Sequence, residues 1–257
     1  MGVYESFGDI DVVWTDEKPQ TEKSAAILFN QSEMGHATII SGMSVIDEAE
    51  PIGRIYSRYF AVEPFNHIPH ILEPCWLIYE KTDEEGERNF IIRMNHWMPP
   101  SDFSDVTNWL WAYPLCRDIV VMLCSLGVEQ LFLLSSLVEE DTTIPMITYD
   151  FHTEQGVGLS DDRDLALTSP CWMIPELFSK IQSDKEQHIS MLLCVKSNPV
   201  GIDEDAVQHL LEFYGSIGLD HNPRAADQHR LVLNSIDEDG SLNTPFYDEN
   251  DSGGYHI

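Results

Sequence analysis

Two short and strongly apolar runs, Val128–Leu134 and Ile189–Val195, constrain this chain more than any other feature. Each is too apolar for the in–out alternation of a half-exposed strand, too short for a helix, and bounded by polar residues. Such runs are strands buried on both faces, and only helices cover both faces of a sheet. Leu115–Leu126, just before the first run, reads as a helix that Gly127 caps. Helix, glycine and apolar strand ending at Ser135-Ser136 is the unit that feeds a parallel sheet. The clearest helix follows Asn198-Pro199. Asp203 is placed to cap it, Val207, Leu210, Leu211, Tyr214 and Ile217 recur at helical spacing, and Gly218 ends it. Ser101–Tyr113 also reads as helical, with Pro114 kinking or restarting the helix, and so does Met173–Lys185.

Cys75–Tyr79 and Phe90–Met94 are strand-like and joined by the charged turn Thr82-Asp-Glu-Glu-Gly86-Glu, which makes a hairpin and a mixed sheet. Met146–Phe151 reads as another strand. Ala25–Phe29 and Ala37–Gly42 read as two more, forming a hairpin across Asn30–Gly35, and Pro51 stands as the first residue of a helix running to about Val62. Residues 1–23 look like a loosely attached, irregular arm, Gly156–Asp162 a flexible loop, and the stretch from Ile236 a disordered tail. The expected division is an arm over 1–23, one α/β domain over 24–235 and an acidic tail over 236–257. The expected architecture is three-layer α/β/α with a mixed, largely parallel central sheet.

Charge narrows the function. The 14 basic and 44 acidic residues leave a net charge of −30, which repels nucleic-acid phosphates and anionic lipid headgroups alike. No run approaches the roughly 20 apolar residues of a membrane-spanning helix. Met1–Asp16 has neither a basic segment nor an apolar core of a signal peptide, so a cytoplasmic setting is expected. Only six residues are lysines (18, 23, 81, 180, 185 and 196), and the acidic excess runs the length of the chain around an ordinary apolar fraction. That pattern points to the salt-rich cytosol of a halophilic archaeon, where the Debye length falls to about 3 Å. Cysteines 75, 116, 124, 171 and 194 include no CxxC pair, and they read as reduced and structural.

Sites of chemistry are weakly written. His67-Ile-Pro-His70, with Cys75 and His96, resembles a ligand set, but Pro69 breaks the helical register that paired histidines use, so no metal is expected. No serine or cysteine motif of nucleophilic catalysis is present. Ser135 and Ser136 end a central strand, the edge where α/β folds bind ligands, and Asp141, Asp150 and His152 are candidates to meet them. Gly42 and Gly53 bracket a loop in the position of a phosphate cradle, yet its three carboxylates would repel phosphate, so turn glycines are the simpler reading. Gly42, Gly53, Ser135 and Ser136 are therefore the candidate ligand-pocket residues, with no catalytic residue and no cofactor expected.

Three segments together resemble the PAC2 family of proteasome assembly chaperones. They are Gly42 leading through Pro51-Ile-Gly53 into Arg54–Val62, then Ser104–Leu126 with Gly127-Val-Glu-Gln and Leu131–Ser136, and last Met191–Val195 with Gly201–Leu219. The resemblance implies a nucleoside-phosphorylase-like α/β/α fold and a non-enzymatic protein that binds proteasome α-type subunits, as a homo-oligomer, as assembly chaperone or adaptor. Some relatives dock a terminal hydrophobic–Tyr–any tripeptide between α subunits. Here the chain ends Tyr255-His256-Ile257, with histidine where that tyrosine should stand, and Phe246-Tyr247-Asp248 has the pattern but is internal. The alternative on the same fold is a phosphorylase- or hydrolase-type enzyme acting on a small molecule.

Overall fold

The protein is described by a computed structural model over residues 2–19, 24–30, 36–57, 75–94, 106–138, 146–157, 170–184, 188–197 and 201–231. Its strands are β1 (Val3–Phe7), β2 (Ile10–Trp14), β3 (Ser24–Asn30), β4 (Gly53–Ser57), β5 (Trp76–Thr82), β6 (Arg88–Met94), β7 (Val128–Val138), β8 (Met146–Asp150), β9 (Gln155–Val157) and β10 (Ile189–Ser197). They form one sheet in the order β1-β2-β4-β5-β6-β3-β7-β10-β8-β9. The four central strands β6, β3, β7 and β10 run parallel, and both wings are antiparallel. The sheet is mixed, as expected, and its parallel character is confined to the centre.

Val128–Leu134 and Ile189–Val195 lie in β7 and β10, adjacent and parallel, with Leu133 opposite Leu192. Their apolar residues occupy both faces because each face feeds a different core. Leu131 and Leu133 join Ala26, Leu28 and Leu192 on one face, under α2 (Val106–Ser125) and α3 (Met173–Ile181). Phe132 and Leu134 join Ile27, Phe29, Leu193 and Val195 on the other, under α1 (Ala37–Ile46) and α4 (Glu204–Ser216). Two helices on each side of one sheet make the three layers. As anticipated, Asp203 caps α4, its side chain accepting the Ala206 N–H at 3.0 Å. Gly218 follows the helix with φ 77°.

Four expectations fail. Ala37–Gly42 is helix, not strand, and makes no hairpin with β3, which pairs instead with β6 and β7. All ten residues of α1 are buried, so no polar face betrays its period, and Ser41 and Ser44 return their hydroxyls to the Ala37 and Ile40 carbonyls at 2.8 Å. Arg54 opens no helix: Gly53–Ser57 is β4, paired with β2 and β5, while residues 58–62 lie outside the described residues. The arm is in fact the β1–β2 hairpin, with Ile10, Val12 and Trp14 buried in the core. Gly156 belongs to β9 and not to a loop. The tail from Ile236 lies outside the described residues. Among the described residues no helix is long and apolar enough to cross a membrane.

Candidate functional site

The four candidate pocket residues do not converge. Gly42 lies in α1 against the ring of Phe29, in the core beneath α1 and α4. Gly53 lies in β4 against Trp14, in the core on the other side of the sheet. Ser135 and Ser136 are half-buried in β7, opposite Cys194 and Val195, and the strand continues two residues beyond them. Being consecutive, they point to opposite faces. Asp150 does not meet them. It pairs with Met191, four residues along β10 from Val195, which is about 13 Å at strand spacing. Its carboxylate accepts the His152 N–H at 2.8 Å and the Thr153 hydroxyl at 2.9 Å, closing the turn into β9. Asp141, His67, His70, His96 and the tripeptide Tyr255-His256-Ile257 lie outside the described residues. Among the described residues no group of three or more His, Cys, Asp or Glu is placed to hold a metal ion.

The structure brings together residues that no spacing announced. Ser179 of α3 and His188, both buried, approach to 3.4 Å between Oγ and Nε2, and the His188 ring meets that of His152 edge-on with centroids 4.1 Å apart. This cluster ties α3 to the start of β10. The Cys116 thiol is pushed well up from its ordinary range by burial, and further by neighbouring Cys171, which leaves it protonated and inert. His229 is held below its ordinary value, first by burial and then by the positive charge of Arg93. Arg93 is itself buried beside the Met43 sulfur.

Among the described residues, exposed apolar side chains gather on the β1-β2-β4 wing. Across these strands Tyr4 pairs with Val13 and Val13 with Arg54, so the three side chains stand in a row on one face, with Tyr56 diagonal to Val13. Tyr4 is 62% exposed, and Val13 and Tyr56 are each 37% exposed. The opposite face carries buried Ile10, Val12, Trp14 and Ile55. The Tyr4 hydroxyl donates to Asp11 at 2.6 Å, and that bond, with the carboxylate charge, raises its pKa. The Gly8-Asp9 turn is fixed to α2, where the buried Asp118 carboxylate accepts the Asp9 N–H at 2.8 Å. The sequence held a signal for this wing: Ile10-Asp-Val12-Val-Trp14 places large apolar residues at every second position.

No protein-family model matches the chain, and no curated protein is similar to it. Solved structures are similar in fold. PbaB of Pyrococcus furiosus, an archaeal proteasome activator, superposes with a TM-score of 0.65 over 91% of this chain and 99% of its own, at 14% identity. PbaA of the same organism, an archaeal homologue of proteasome-assembly chaperone, gives 0.55 over 89% and 95% at 13% identity. Rv2125 of Mycobacterium tuberculosis, a proteasome-assembly chaperone homologue, gives 0.55 over 86% and 96% at 11% identity. At these identities what is shared is the fold.

Proposed function

We propose that this chain is a non-enzymatic protein of the proteasome-assembly-chaperone kind, binding proteasome α-type subunits as an oligomeric chaperone or adaptor in the cytoplasm of a halophilic archaeon. The observation that carries the reading is the fold likeness to the archaeal activator, which spans 99% of that chain and 91% of this one. Three partial sequence resemblances to the same family support it independently. The net charge of −30 with six lysines supports the high-salt setting.

Size-exclusion chromatography with light scattering, in molar KCl, tests the reading on the chain alone and mixed with the host's proteasome α subunits. A stable co-eluting complex is the expected result. An unshifted profile, with α subunits shown competent to assemble, removes the partner assignment and leaves the fold.

A further inference from the structure

We propose that the open face of the β1-β2-β4 wing is a self-complementary docking surface for a second copy of this chain, the two copies meeting face to face about a two-fold axis. The inference gives a surface to the oligomer of the functional reading above and rests on that reading there alone.

The wing has one covered face and one open face. Ile10, Val12, Trp14 and Ile55 join the core beneath α2, whereas the core beneath α1 and α4 takes no described residue from β1, β2 or β4. On that second face the ladders set Tyr4, Val13 and Arg54 in one row and Ser6, Asp11 and Tyr56 in the next. Tyr4, Val13 and Tyr56 are its exposed apolar groups, and Asp11 and Arg54 stand half-buried among them. The strands beneath are held in place: the Gly8-Asp9 turn rests on Asp118, and Trp14 is fully buried. A face ordered before its partner arrives loses little conformational freedom on binding.

The placement of charge chooses the occupant. Val13, Arg54, Tyr56 and Asp11 are the corners of a near-rectangle of about 4.8 by 6.7 Å, the spacings of neighbouring strands and of alternate residues. Val13 and Tyr56 hold one diagonal, Asp11 and Arg54 the other. A two-fold axis lying between two facing sheets, at right angles to the Asp11–Arg54 diagonal, exchanges the charges. Asp11 of each copy then stands over Arg54 of the other, while Val13 and Tyr56, close to the axis, meet their own counterparts. Asp11 also accepts the Tyr4 hydroxyl at 2.6 Å in its own chain. A carboxylate accepts several bonds and a guanidinium donates several, so contacts within each chain leave capacity for the pairs across the axis. The patch holds one cation and one anion in a chain of net charge −30. Two such molecules repel over their acidic surfaces, and a balanced, apolar face is where they approach at least cost.

Sedimentation velocity of the full chain in molar KCl reads the association. No proteasome subunit is present, so the outcome is independent of the partner assignment. The wild-type chain is expected to dimerise. Asp11→Arg sets like charges against Arg54, and Arg54→Asp sets them against Asp11, so each variant alone is expected to lose roughly tenfold or more in dimer affinity. Mixed one to one, the two variants regain both opposite pairs and are expected to form a heterodimer, which two misfolded proteins would not do. Circular dichroism checks that each is folded. Should either not fold, Val13→Lys, which touches neither charge, is expected to lose a similar factor by placing lysine against its own counterpart. A monomeric wild-type chain overturns the proposal. So does a dimer that these variants keep, or a mixture of folded charge variants that stays monomeric.

Discussion

Replacing Gly42 by alanine sets two ordinary effects against each other. In an exposed helix the change would stabilise by about 1 kcal/mol, because glycine is the poorer helix former. Gly42, however, is buried in α1, and a Cβ there would lie 2.5, 2.6 and 2.7 Å from Cζ, Cε1 and Cε2 of Phe29. Phe29 is fully buried between β3 and α1, so its ring has no solvent to move into. Overpacking of this kind costs about 1–3 kcal/mol, and three contacts under 3.0 Å belong at the upper end. The net expectation is a destabilisation of about 2 kcal/mol, or a fall in Tm of roughly 4–8 °C for a domain of this size. Urea unfolding measures it directly. Phe29→Leu in the same chain provides the control: if ring contact is the cause, Gly42→Ala should cost distinctly less in that background than alone. A stabilised Gly42→Ala protein, or strict additivity with Phe29→Leu, would refute the reasoning.

Gly8→Ala should cost about 2–3 kcal/mol in urea unfolding, since φ is 64° and the new Cβ would sit 2.2 Å from the Asp118 carboxylate. Hydrogen exchange in that variant should rise first in β1 and β2. Asp203→Ala should remove about 1 kcal/mol, because the first turn of α4 loses its side-chain acceptor, while Asp203→Asn should keep most of the stability. The pH dependence follows from His229, whose folded pKa lies below the unfolded value of 6.5. Between the two values the unfolded chain binds more protons, so this contribution to stability is present above 6.5 and lost as pH falls toward the folded pKa. Thermal melts across that window should show the loss, and His229→Gln should flatten it.

The β5–β6 hairpin shows how far a local signal can reach. Thr82-Asp-Glu-Glu-Gly86-Glu predicts the turn, and Gly86 indeed takes φ 85° there. Burial would push Asp83 up, but hydrogen bonds from Asn89 Nδ2 and from the Glu87, Glu85 and Gly86 N–H groups outweigh it and hold the carboxyl below its usual range. What no local rule contains is the next link: Asn89 Oδ1 accepts the Ala25 N–H at 3.0 Å and joins the turn to central strand β3. The candidate pocket glycines are kept apart by the same kind of tertiary link. Gly42 and Gly53 are eleven residues apart in sequence, and the sheet itself separates them.

Strands β7 and β10 and helix α4 could be determined from sequence alone because their periodicity or its absence reports how many of their faces are buried. Helix α1 could not. A segment buried on every side shows no period, and Thr38, Ile39, Ile40 and Val45, read locally, favour a strand. Only its place between the sheet and α4 makes it helical. β4 likewise takes its form from β2 and β5, its ladder partners on either side, against the helix cue of Pro51. Strand order is also a tertiary fact, since hydrogen bonding between distant segments decides it.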